Sequence, residues 1–291
     1  MAADPRHAVA FARMDSAWEM AGRLRANPPP MDLAPPLLAP ADPFWFSRRK
    51  LVGGFIAASV VAGAATAAWR YAGDVDLYRT RVGERRVVAL ADGSRVHLNT
   101  ASTIEISLKK DRRQLRLVKG EALFEVAHDP SRPFLVNAAS ARLRAVGTAF
   151  NVRIRENVVE LTVTEGVVAV AQSGDPVLRP RGAHIAAGDG AVIRAGAVAP
   201  TVLGGEVLRQ RTAWQEGVIE FEGETLPQAV EEFNRYRAQP IIVGDPRLSN
   251  IRVGGRFEVD EADKFLLALE SSFPIKAITS ADGSVLLMPR S

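Results

Sequence analysis

Four histidines, His7, His97, His128 and His184, and the absence of any cysteine bound the chemistry open to this 291-residue chain. Without a thiol there is no disulfide framework, thiolate zinc site, iron–sulfur cluster or cysteine nucleophile. No histidine pair stands at H-x₃-H spacing and none is spaced with a carboxylate as metal ligands are, so no metal and no cofactor are expected. His128-Asp129 is the one suggestive neighbouring pair, and a loop histidine beside a turn aspartate explains it. G-x-S-x-G, P-loop and G-x-G-x-x-G motifs are all missing, which leaves an exported hydrolase without its nucleophile and base. The run Lys109-Lys110-Asp111-Arg112-Arg113, between two alternating segments, reads as a solvated hairpin tip, against a phosphate or lipid-headgroup site. The chain reads as a binding protein, not an enzyme.

Charge points the same way. A pI of 9.7 suggests an anionic partner, yet 37 basic residues face 33 acidic ones. Residues 1–50 hold seven Arg/Lys and five Asp/Glu, and residues 71–291 hold 29 and 28. A nucleic-acid binder concentrates basic charge on one face, and so even a balance predicts none.

Between those two parts lies the feature that divides the chain. Leu51–Trp69, LVGGFIAASVVAGAATAAW, has no ionisable group over 19 residues. At about 1.5 Å per residue it spans roughly 29 Å as a helix, close to the thickness of a bilayer core. Arg48, Arg49 and Lys50 precede it and Arg70 alone follows before Asp74 and Asp76. The positive-inside bias therefore places the N-terminus in the cytoplasm and residues 71–291 on the far side. Ser47-Arg48-Arg49 is similar to a twin-arginine export signal. Ala64-Ala65-Thr66-Ala67-Ala68 offers small-residue cleavage sites, but some 46 residues before the basic cluster far exceed an ordinary signal-peptide n-region. A retained single-pass anchor is the expectation, and a released envelope protein the alternative.

On the cytoplasmic side, Val9, Phe11, Met14, Trp18, Met20 and Leu24 follow one helical face. One helix of about 20 residues cannot build a core, so this face seeks a partner. Seven prolines between Pro28 and Pro43 then make an extended spacer over 28–50. On the other side, alternation in Val96-x-Leu98, Ile104-x-Ile106-x-Leu108, Leu115-x-Leu117, Phe124-x-Val126, Phe150-x-Val152-x-Ile154 and Val159-x-Leu161-x-Val163 predicts a mainly β domain over 77–195. A linker is expected over 196–212, around Gly196–Gly205. Residues 213–291 then predict two strand–helix–strand units: Val218–Phe221, Leu226–Arg237 capped by Thr225, and Ile241–Val243, followed by Arg252–Phe257, a helix capped by Asp260, and Ile275–Thr279 with Val285–Met288. This is a small α+β domain.

The β region resembles the FecR-type regulators, single-pass transmembrane proteins that control extracytoplasmic-function sigma factors. The resemblance rests on Leu90-Ala91-Asp92-Gly93-Ser94-x-Val96-x-Leu98-Asn99, Gly120-Glu121-Ala122-x-Phe124-Glu125-Val126-Ala127-His128-Asp129, Arg132-Pro133-Phe134-x-Val136, Val146-Gly147-Thr148-x-Phe150-Asn151-Val152 and Val163-Thr164-Glu165-Gly166. Residues 213–288, with Trp214, Phe221, Phe233-Asn234-Arg235-Tyr236 and Gly254-x-x-Phe257, are similar to the family's C-terminal domain, itself similar to the small signalling domain of secretins and TonB-dependent transducers. Residues 1–27 resemble the end of its cytoplasmic sigma-binding domain.

The resemblance implies an anti-sigma factor of the inner membrane with its C-terminal domains in the periplasm. It implies three partners: a sigma factor meeting Phe11, Met14 and Trp18; an outer-membrane TonB-dependent transducer meeting Phe221, Phe233, Tyr236 and Phe257; and regulatory membrane proteases. An iron or siderophore signal is the expected input. Gly147-Thr148 also matches the position at which some members cut themselves, the threonine hydroxyl attacking the preceding carbonyl to give an ester that water opens. The alternative is that Gly147 relieves crowding at a bend into the Phe150–Ile154 strand.

Overall fold

The computed structural model describes residues 75–172 and 182–290. The expected sigma-binding segment with Phe11, Met14 and Trp18, and the apolar run 51–69, lie outside the described residues. Among those described, no helix is long and apolar enough to cross a membrane.

The alternating segments form fourteen strands in two seven-stranded sheets. One sheet orders β1 (Asp76–Arg79), β4 (Thr103–Leu108), β5 (Arg113–Lys119), β7 (Phe134–Ala138), β8 (Ala141–Ala145), β11 (Val167–Gln172) and β12 (Ala183–Ala186). The other orders β14 (Ala197–Val202), β13 (Asp189–Arg194), β10 (Val158–Glu165), β9 (Ala149–Arg155), β6 (Glu121–Glu125), β3 (Arg95–Leu98) and β2 (Arg86–Ala89). Pairing is antiparallel except β5 with β7. The apolar residue of each alternating pair turns inward, and Leu98, Ile104, Leu115, Phe124, Phe134, Phe150 and Leu161 are fully buried in one core. There Phe124 stacks on Phe150 at 5.1 Å and meets Phe134 edge-on at 6.1 Å.

The expected linker is largely regular structure. Its first half is β14, joined to β13 through Ala195 (φ 46°) and Gly196 (φ 86°). Two successive positive φ values are what a tight hairpin turn needs, and Ala-Gly is an unusual way to supply them. Its second half is helix α1 (Gly205–Thr212).

Beyond α1, β15 (Val218–Thr225) pairs with β17 (Arg252–Glu258), and β16 (Ile241–Val243) and β18 (Ile275–Thr279) flank β19 (Val285–Pro289). Helices α2 (Leu226–Asn234) and α3 (Ala262–Ser272) supply the rest of the core. Thr225 caps α2 as its type predicts: the Thr225 amide donates to Gln228 Oε1 at 2.9 Å and the Gln228 amide to Thr225 Oγ1 at 3.5 Å. For α3 the cap position is Glu261, not Asp260, and no side chain closes it. Thr225→Ala is expected to cost about 1 kcal/mol, read as a lower urea midpoint with an unchanged slope.

Candidate functional site

The second sheet's outward face does not meet water where its centre is concerned. Period-two alternation turns Asn99, Glu121, Asn151, Arg153 and Thr162 away from the sandwich core, and the C-terminal domain covers them. At the centre sits the Glu121 carboxylate, 2% exposed. Asn151 Nδ2 donates to one oxygen at 2.8 Å; Asn99 Nδ2, at 2.9 Å, and the Arg235 guanidinium donate to the other. Asn99 Nδ2 also reaches Tyr236 Oη at 2.9 Å, and Thr100 Oγ1 donates to the Arg235 carbonyl at 3.0 Å. Arg235 pairs as well with Glu232, which accepts from Arg153 at 2.8 Å. Arg155 pairs with Glu231. A second strut runs from Arg85, whose Nη1 donates to the Trp214 carbonyl at 2.9 Å.

Charge and hydrogen bonds cross this junction. Burial pushes the Tyr236 phenol up to about 12, with the Glu121 charge adding to the shift. Burial would lower the Arg235 pKa, but Glu121 and Glu232 outweigh it and raise it. For Glu232, burial would raise the carboxyl, and Arg235 and Arg153 hold it below its ordinary 4.5. A carboxylate so lowered stabilises the fold fully above its unfolded value and loses that contribution as pH falls through the folded value. The urea midpoint of residues 71–291 is therefore expected to fall below about pH 4.5, and Glu232→Gln to flatten that part of the profile.

Beside the junction opens a cleft of about 430 Å³ lined by both domains, with Arg211 donating to Thr162 Oγ1 at 3.2 Å on one wall. Asn151 Oδ1 and Trp214 Nε1, both buried, find no protein partner.

At the opposite end of the sandwich lies Gly147-Thr148. Gly147 has φ 155°, and a Cβ there would stand 2.5 Å from His128 Nδ1 and 3.1 Å from His128 Cα. Only glycine fits such an approach, so crowding by His128 accounts for this residue. The Thr148 hydroxyl is buried and makes no hydrogen bond. Asp129 accepts from Ser131 Oγ at 2.6 Å and Arg132 Nε at 2.8 Å, and those bonds, Ser131 first, hold it down at about 2. His128 itself projects toward Gly147 and shares no bond with Asp129's carboxylate among the described contacts.

The structure places the candidates for transducer contact largely in the interior. Phe221 and Phe233 are core: Phe233 stacks on Phe265 at 4.2 Å, and Phe221 lies 6.0 Å from Phe233. Tyr236 is buried in the junction, and Phe257 is half-buried, edge-on to Phe265 at 5.2 Å. Their aromatic area goes to holding the domain together. The basic run is also divided: Lys110, Asp111 and Arg112 are at an exposed tip, but Arg113 is 1% exposed and donates to Asp92, Ala127 and Arg132. Sequence reasoning gave no role to Asn99, Glu121, Asn151 or Arg235; they stood only among the residues that carry the family resemblance, Glu121 and Asn151 at outward strand positions and Arg235 at the end of α2. Among the described residues no cluster of three or more His, Asp or Glu could hold a metal ion.

No curated protein matches this chain. Two crystal structures from Parabacteroides distasonis ATCC 8503, each provisionally described as an anti-sigma factor, are similar in fold. One is 21% identical, with 75% of this chain and 100% of that chain covered at a TM-score of 0.60. The other is 22% identical, with 74% and 100% covered at 0.60. Residues 76–169 match the model of the family described as FecR protein. That match covers β1–β10 and the start of β11, so this part of the chain is similar to the FecR protein family's domain.

Proposed function

We propose that this protein is a transmembrane regulator of an extracytoplasmic-function sigma factor. The observation that carries the reading is a FecR domain beginning at residue 76, directly after the uncharged run 51–69. In this reading residues 1–27 bind the sigma factor in the cytoplasm, 51–69 anchor the chain in the inner membrane, and the described domains stand in the periplasm. The input is an outer-membrane TonB-dependent transducer reporting iron or a siderophore, and membrane proteases carry the response inward. A signal moves such a relay only through unequal affinity for two states. The polar junction around Glu121 supports this, since its ion pairs and hydrogen bonds are contacts that a signal can make or break.

The test is recovery of partners with the full chain from detergent-solubilised membranes. A sigma factor is expected to co-purify and to be lost when residues 1–27 are removed. Absence of any sigma factor, with a freely soluble ectodomain starting near residue 68, would establish instead the released envelope protein that binds a polysaccharide or another envelope protein. Self-cleavage is read from the same material. The unpartnered Thr148 hydroxyl keeps that reaction chemically open, and a single full-length band for residues 71–291, unchanged by Thr148→Ala, removes it.

A further inference from the structure

Topology brings the start of the described chain and the basic hairpin tip to one end of the sandwich. β1 pairs with β4 from Asp76↔Ile106 to Arg79↔Thr103, so Val75 lies beside the end of β4, next to the tip where the Lys109 amide donates to the Arg112 carbonyl. A groove of about 260 Å³ there is lined by Val75, Ser107, Lys109, Arg112 and Gln114. Val75 and Leu77 are exposed apolar side chains on this end. Lys109, Lys110, Arg112 and Arg116 stand on this end against Asp76, Glu105 and Asp111, four basic groups to three acidic ones. The junction with the C-terminal domain is at the other end of β1, where Thr80 and Thr100 meet Asn99 and Arg235.

We infer that this end rests on anionic phospholipid headgroups, with the tip Lys109–Arg112 as the contact. The inference rests on the anchored reading of 51–69. Only residues 70–74 separate Trp69 from Val75, a reach of about 20 Å even fully extended, so the tip is tethered close to the bilayer surface. Basic side chains near an anionic leaflet gain roughly fivefold in binding each, and exposed Val75 and Leu77 add apolar contact.

Because the chain has no cysteine, a nitroxide at Asp111→Cys reports the tip alone. The full chain is placed in nanodiscs of phosphatidylcholine, with or without phosphatidylglycerol. Accessibility of the label to an aqueous quencher is expected to fall on the order of tenfold in the anionic discs, and to recover in high salt. Lys109→Glu with Lys110→Glu and Arg112→Glu should abolish the fall, and Lys276→Glu in the C-terminal domain should not. Equal accessibility in both discs overturns the inference while leaving the anchor intact. Reversal by inorganic phosphate at constant ionic strength overturns it too, in favour of a free-anion site. A chain that washes out of the discs overturns the anchored reading and this inference with it.

Discussion

Arg113→Ala is expected to destabilise the FecR domain by about 3–5 kcal/mol. The guanidinium is buried against the Phe134 ring, 5.4 Å from its centroid, and donates to Asp92 Oδ2 and the Ala127 carbonyl, each at 2.9 Å, and to the Arg132 carbonyl at 2.7 Å. Alanine leaves the Asp92 carboxylate, itself 5% exposed, without its cation, and strands carbonyls whose desolvation is not recovered. Burial would raise the Asp92 carboxyl, and Arg113 and Ser94 hold it below its ordinary value, so the loss should be greatest near neutral pH. The loops tied together, Asp92–Ser94 and Ala127–Arg132, include the segment that places His128 against Gly147. Urea unfolding of residues 71–291 gives the stability, and hydrogen exchange at 127–132 shows whether these loops loosen first. Arg113→Lys should recover little, because one ammonium cannot reach the separate acceptors that a planar fork serves. Unchanged stability in Arg113→Ala would mean that the loops hold themselves.

Arg113 also shows where a sequence pattern stops being informative. In Lys109-Lys110-Asp111-Arg112-Arg113 nothing distinguishes the last arginine from its neighbours, but Arg113 is the first residue of β5, and its strand position turns it inward. Strand periodicity itself is legible, because burying one face of a pleated strand requires the alternation seen from Val96 to Val163. The hairpin at Ala195-Gly196 is less so, since positive φ is not what an alanine predicts. The aromatic residues of the C-terminal domain are a third case. Phe221 and Phe233 are apolar enough for either a contact surface or a core, and only their packing against Phe265 decides. Glu121 is the converse. Its place in an alternating strand predicts an outward side chain, correctly, but outward here means toward a second domain rather than water.

Glu121→Ala is therefore expected to separate the two domains as well as to cost about 3–5 kcal/mol. Truncation removes the acceptor shared by Asn99, Asn151 and Arg235, and leaves a guanidinium whose side chain is only 18% exposed with Glu232 alone. The sandwich and the C-terminal domain each keep their own apolar core, so neither should unfold outright. What is lost is coupling. Calorimetry of residues 71–291 is expected to show one transition in the parent and two in Glu121→Ala. Arg235→Ala should act on the same bond from the other side, and the double variant should cost clearly less than the two single losses added together, because residues sharing one network are not additive. Glu121→Leu with Arg235→Met provides a separate control: a buried ion pair replaced by apolar groups of similar size often loses little stability. If that pair restores the single transition, the junction needs only filled volume. If stability returns while two transitions remain, the Glu121 carboxylate specifies how the domains dock. A relay built on this junction requires the second outcome, since two states with unequal partner affinity must differ in something that a signal can make or break.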